Sequence, residues 1–283
     1  MKQNEKQVLL IGLGLIGGSY AMGLKKAGWH VAAITRSQST VDWALEHGII
    51  DEGAAFVDPK LVGGANLIIF GLYPTAMVEW IREHQHLFCS GALLTDVSGV
   101  KCGIVDEIQS FLREDVEFIG SHPMAGREVS GVRNANDQIF VGANFIITPT
   151  EKNSEEAIEK VRALAKQLRF GKISILTPDE HDKMIGFVSQ LTHAVAVSLM
   201  NMSDNTHLKD YTGDSFRDLT RIAKINEVMW SELFFLNKEN LVGLIDSFVA
   251  SIEELKQTIL EENTEAIQAL FRRSTERRKY FDK

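Results

Sequence analysis

The run Gly12-Leu13-Gly14-Leu15-Ile16-Gly17 constrains this chain more than any other stretch of it. A G-x-G-x-x-G run is informative only where a strand leads into it and a helix leads out. Both conditions hold here. Residues Gln7–Gly12 are a short apolar segment ending in glycine, as a buried parallel strand should be, and Leu15 to about Ala27 carries helical spacing. Each glycine has its own task. Gly12 permits a tight turn, Gly14 lets the backbone approach a pyrophosphate, and Gly17 lets helix and strand pack closely. A dinucleotide's phosphates would then rest on the free amides that open the helix, around Gly14, Leu15 and Ile16.

Alternation continues downstream. Trp29–Thr35 reads as strand, Ser39–His47 as helix, Asn66–Phe70 as strand and Thr75–His86 as helix. Ala92–Thr95 is strand, Val100–Leu112 helix and Glu117–Gly120 strand, followed by strands Asn144–Thr148 and Lys172–Leu176 around a charged helix, Asn153–Leu168. Strands separated by helices imply right-handed crossovers, hence an α/β fold of Rossmann type with a doubly wound, mostly parallel sheet. After Leu176 no strand pattern remains. Thr177-Pro178-Asp179-Glu180 opens a helix with a cap, a first-turn proline and a capping-box glutamate. That helix is expected to run to about Met202, with two or three more behind it. Residues 1–176 are therefore expected to form the dinucleotide-binding domain and 177–283 an all-helical domain, which by analogy with similar folds would serve substrate and dimerisation.

A formal charge of −8 over 283 residues, with no basic stripe, argues against nucleic acid. No apolar run approaches the roughly 18 residues of a membrane span, and Met1–Lys6 precedes a strand with no signal-peptide core. Cys89 and Cys102 lack metal or redox spacing, so two reduced thiols in a cytoplasmic protein without a metal are expected. A small anionic substrate would need a local cluster of arginine or lysine against the global charge.

The dinucleotide fingerprint also expects a carboxylate at the end of the second strand, to hold the ribose hydroxyls. Ala33-Ile34-Thr35-Arg36-Ser37-Gln38 has none. Thr35 and Arg36 suit a 2′-phosphate, which leans the choice between NAD+ and NADP+ slightly toward NADP+. Arg36 can equally stack on adenine or stay solvated.

Two loops at strand ends carry the polar residues. One is Asp96-Val97-Ser98-Gly99-Val100-Lys101; the other begins Gly120-Ser121-His122-Pro123-Met124-Ala125-Gly126-Arg127-Glu128. His122 has the residue type of a general base, with an unperturbed pKa of about 6.5. These two runs, with S-Q-L-T-H at Ser189–His193 and F-R-D-L-T-R-I-A at Phe216–Ala223, resemble the signature of the prephenate and arogenate dehydrogenases across the whole chain. The resemblance implies oxidative decarboxylation of prephenate to 4-hydroxyphenylpyruvate and CO2, with hydride transfer to NAD(P)+, in tyrosine biosynthesis. It implies that His122 accepts the ring hydroxyl proton, that Ser98 orients His122 beside the nicotinamide, and that His193 shapes the pocket. Arg221 would bind a substrate carboxylate, Trp230 would pack near the site, and a homodimer would form through the helical domain. It also implies a single-activity enzyme, the chain having no room for a fused mutase or regulatory domain.

Plainer readings stay open: Ser98 as a cap for the helix near Val100, His193 and Trp230 as core, and Arg221 as surface charge paired with Asp218 or Glu227. Arogenate dehydrogenase is the nearest alternative activity. A β-hydroxyacid dehydrogenase would want a lysine and an asparagine one turn apart on the linking helix, whereas Lys183 is followed four residues on by Phe187. A non-catalytic nucleotide sensor would have no need of Ser98, His122 and Arg221.

Overall fold

The computed structural model describes residues 6–282, so the reading of the first five residues lies outside the described part. Eight strands form one sheet: β1 (Gln7–Ile11), β2 (His30–Ile34), β3 (Glu52–Ala54), β4 (Leu67–Phe70), β5 (Leu93–Asp96), β6 (Glu117–Met124), β7 (Asn144–Thr148) and β8 (Ile173–Ile175). Their order is β3-β2-β1-β4-β5-β6-β7-β8. Only the β6–β7 pair is antiparallel.

The apolar runs are continuous because both faces of the sheet are covered. Val8 and Leu10 of β1 enter one core, shared with Tyr20, Ala21 and Leu24 of α1 (Leu15–Lys26). Leu9 and Ile11 enter the other core. Met77, Val78 and Ile81 of α4 (Pro74–His84) line that second core, with Ile104, Val105 and Ile108 of α5 (Ile104–Phe111). The strand order reverses between β1 and β4, and in such sheets that reversal opens a crevice at the carboxyl ends of the strands.

Several details depart from the sequence reading. β3 and the short helix α3 (Pro59–Gly64) were not expected; both are brief, and α3 depends on Asp58 accepting from the amide of Lys60 and on Pro59 at its start. α2 (Gln38–Glu46) and α6 (Glu155–Gln167) fall where expected, within two residues at each end. α5 starts at Ile104 rather than Val100, with Gly103 at its cap, so Ser98 does not cap it.

After β8 the chain is helical. α7 (Pro178–Ile185) opens with the full capping box: Thr177 accepts from the amide of Glu180, and Glu180 accepts from the amide of Thr177. It passes through a π-helical stretch, Gly186–Leu191, into α8 (Thr192–Met200). This run has the length and apolarity of a membrane span, with a mean hydropathy of 1.2, which inspection of consecutive apolar residues did not reveal. It nevertheless buries His181, Asp182 and Gln190 in internal hydrogen bonds. Four helices follow instead of two or three: α9 (Asp214–Thr220), α10 (Glu227–Leu236), α11 (Lys238–Leu260) and α12 (Thr264–Arg278).

Candidate active site

At the crevice, Gly12 has φ +97, which only glycine adopts without strain. A side chain on Gly17 would collide with the carbonyl of Gly12, whereas one on Gly14 would meet nothing. The open space lies at the start of α1, where Gly14 caps the helix without a side-chain bond and the first turn carries no acid. A pyrophosphate fits such a place, since helix-opening amides favour an anion. Thr35 and the exposed Arg36 stand just beyond β2, one strand away, with no carboxylate between Thr35 and Gln38.

The second half of β6 carries His122. Its first half pairs with β5 as far as Ile119, and from Gly120 to Met124 it pairs only with β7. His122 therefore projects past the end of the parallel sheet. Pro123 is tolerated because this stretch is an edge with a partner on one side only. Nδ1 of His122 lies 2.9 Å from Nε2 of His181, and Nδ1 of His181 lies 2.6 Å from Oδ1 of Asp182. Asp182 also accepts from the amides of Lys101 (2.9 Å) and Cys102 (2.8 Å). A carboxylate can only accept, so His181 donates from Nδ1 and presents a lone pair at Nε2. His122 must then donate from Nδ1, which leaves its own Nε2 as a lone pair. No described residue bonds that nitrogen, and the ring is partly exposed. This is the tautomer of a base.

Packing around the ring, then the neighbouring His181 and the Lys101 ammonium, push the His122 pKa well below the usual histidine value. Burial lowers that of His181 as well, against the pull of Asp182. Both rings are therefore neutral at neutral pH.

Lys101 is fully buried. Its ammonium reaches Oδ2 of Asp96 at 2.6 Å and the carbonyl of Ser98 at 3.0 Å. A side chain on Gly120 would come within 3.1 Å of the Lys101 stem, so that glycine makes room for it. The hydroxyl of Ser98 donates to Asp96 and lies 3.1 Å from the Lys101 ammonium. Among the described residues it forms no bond to His122, so the orienting bond expected of Ser98 comes from His181 instead. Gly99 does lie against the ring: a side chain there would stand 3.9 Å from Cε1 of His122 and 3.5 Å from Leu233.

The helical residues form a neighbouring group. His193 stacks on Trp230 with centroids 3.7 Å apart, and its Nδ1 lies 2.9 Å from the carbonyl of Ser189. Both rings are half-buried, and burial lowers the His193 pKa. Arg221 is paired not with Asp218 or Glu227 but with Glu128, from the loop after β6. His193 feels both charges of that pair. The two groups meet where Leu233 of α10 reaches Gly99, and Gln190 donates to the Leu233 carbonyl at 3.0 Å.

His181 and Asp182 were missed by sequence reading, and Lys101 and Glu128 were quoted without a role. Charged residues just inside a capped helix ordinarily face solvent; at positions 181 and 182 both side chains are fully buried. That pair of buried polar neighbours is a signal only once the fold is known.

A dinucleotide-binding turn and a histidine with one uncommitted ring nitrogen, both at strand ends of one Rossmann-type sheet, fit a nicotinamide-dependent dehydrogenase. Comparison with known proteins narrows the class. The family model described as prephenate dehydrogenase, nucleotide-binding domain, matches residues 20–173, and that described as prephenate dehydrogenase, dimerization domain, matches 177–273. Prephenate dehydrogenase of Bacillus subtilis is 31% identical over 283 residues, covering 96% of this chain and 75% of that one. That of Lactococcus lactis is 34% identical over 274 residues, covering 94% and 75%. The crystal structure of prephenate dehydrogenase from A. aeolicus in complex with hydroxyphenyl propionate and NAD+ superposes with a TM-score of 0.90 at 29% identity, covering 98% of both chains. The chain belongs to the prephenate dehydrogenase family.

Proposed function

We propose that this protein oxidises and decarboxylates prephenate to 4-hydroxyphenylpyruvate in tyrosine biosynthesis, as a cytoplasmic homodimer joined through residues 177–283. The carrying observation is the hydrogen-bond chain from Asp182 through His181 to Nδ1 of His122, which assigns a tautomer that leaves Nε2 free. Bound in the crevice, the nicotinamide supplies the acceptor for the hydride that leaves the ring carbon. Gly12, Gly14, Leu15, Ile16 and Gly17 hold its pyrophosphate, and Thr35 with Arg36 favour a 2′-phosphate over a bare ribose. His122 takes the hydroxyl proton. Ser98, fixed by Asp96 and Lys101, sets the loop that packs Gly99 on the ring.

Prephenate carries two carboxylates, and a guanidinium pairs with a carboxylate in a planar fork. Arg221 fills that role by exchanging Glu128 for the substrate. His193 and Trp230 form the stacked wall beside it. The test is to mix the protein with prephenate and either NAD+ or NADP+ and follow reduced nicotinamide. Reduction is expected, faster with NADP+. Absence of reduction with both cofactors, followed by turnover of arogenate, would replace the substrate.

A further inference from the structure

The reaction proposed above conserves protons. The ring carbinol loses its carbon-bound hydrogen as hydride to the nicotinamide and its hydroxyl proton to Nε2 of His122. The bond to the ring carboxylate then breaks. Its electron pair moves through the ring to the carbonyl oxygen formed from the hydroxyl, CO2 departs, and the resulting phenolate takes up one proton. One proton leaves an oxygen and one returns to it, so the site needs a place to hold a proton rather than a path to discharge it.

The groups behind His122 have that form. Nδ1 of His122 meets Nε2 of His181, and Nδ1 of His181 meets Asp182. The remaining contacts of the Asp182 carboxylate are the backbone amides of Lys101 and Cys102 and the Cys102 thiol, whose pKa is pushed up to about 12 by burial and by Asp182 itself. All of them donate, and none is a base that takes a proton onward. His181 and Asp182 are both fully buried. A wire to solvent would end in water or an exposed carboxylate; this one ends in a sealed anion.

We infer that His122, His181 and Asp182 act as a closed proton reservoir, which holds the substrate's hydroxyl proton between hydride loss and decarboxylation and returns it to the phenolic oxygen. In this scheme His122 touches substrate, and His181 and Asp182 are positioning residues acting through it. The charged and titratable groups facing the pair are Asp182 from α7 and Lys101 and Asp96 from the loop after β5. Asp182 and Asp96 favour the extra proton, while Lys101 opposes it. The opposition suits a reservoir, which must release the proton again within one turnover.

This inference rests on the proposed reaction, so its test has one arm that needs neither substrate nor cofactor. Nitrogen-15 spectra of the imidazoles in the free protein above pH 7 should show His122 protonated at Nδ1 and bare at Nε2, with His181 in the same tautomer. His122 protonated at Nε2 would overturn the reservoir whatever the substrate proves to be. The kinetic arm compares two variants. His181→Leu removes the acceptor and should lower kcat by about 10- to 100-fold with KM unchanged, up to the lower end of what direct general acid–base assistance contributes. His181→Gln offers an amide oxygen to Nδ1–H, so it should preserve the His122 tautomer, but it cannot take up a proton. Its kcat should stay reduced by roughly 10-fold. Wild-type kcat in His181→Gln would show that His181 only orients the ring and would overturn the inference. Failure of the wild-type protein to turn over prephenate, with the expected tautomers present, would strike the substrate and not the chain of hydrogen bonds.

Discussion

The two halves of this molecule use their apolar residues in opposite ways. Before Thr177 the sheet is buried on both faces and the helices add to two continuous cores. After it, among the described residues, the buried hydrophobics are Ile185, Leu191, Ala196, Leu233 and Leu241. The same half exposes Phe187, Phe235, Val242, Val249, Ile252 and Phe271, each by 48% or more. The 23-residue helix α11 buries only Leu241 and Thr258, and α12 buries none. A sheet closes its own core, whereas these helices keep apolar faces that only a second surface can cover. Exposed apolar area on this scale marks an interaction site. The residues proposed for the chemistry divide along the same line, with His122 on the sheet half and Arg221, His193 and His181 on the helical half.

That division can be broken by mutation. His122→Asn should lower kcat by about 10²–10⁴, the usual worth of a general base, with little change in KM. Arg221→Ala should chiefly raise KM, by roughly 10-fold or more, as expected for a lost charged hydrogen bond. Steady-state kinetics on both would blur the comparison if the two variants changed the same parameter.

A second pair of variants tests the exposed faces. Phe235→Asp or Val249→Asp should weaken self-association by about 30-fold, the scale of an interface hot spot. Sedimentation at graded concentration reads it. A wild-type protein that is monomeric at every concentration would show that these faces have another use.

The mildest prediction concerns pH. His122, His181 and His193 have folded-state pKa values below the ordinary one. The unfolded chain therefore binds more protons once pH drops below about 6.5, so their stabilising neutrality is complete above that value and lost as pH falls toward the folded ones. The Tm should decline from pH 7 to pH 5 (about the range over which histidine titrates), and less steeply in His181→Gln. A Tm that rises on acidification would contradict the lowered values.

Much of the fold was legible because a parallel sheet covered on both faces leaves continuous apolar runs, as in Val8–Ile11 and Leu67–Phe70, and because the capped start at Thr177 is a local signal. β6 read short because Gly120 ends the apolar run, whereas the strand continues on the strength of an antiparallel partner 28 residues away in register, Gly120 opposite Thr148. His122 was legible as a candidate base, and Gly12, Gly14 and Gly17 as a turn. What supports His122 was not. Its bond to His181 spans 59 residues, and the Arg221–Glu128 pair spans 93. Ser98 misled for the opposite reason: its partner Asp96 is only two residues away, and the turn they share is invisible until Lys101 is seen buried beneath it.

The π-helical stretch Gly186–Leu191 fixes a matter of angle. His181 and His193 are 12 positions apart, and α-helical steps of about 100° would set them roughly 120° around the axis from each other. A π turn takes up about one extra residue, which brings the offset down to roughly 20° at the same step. The two histidines thus lie on one side of a single rod, one against His122 and one against the stacked Trp230. Phase, and not only identity, is what this helix contributes.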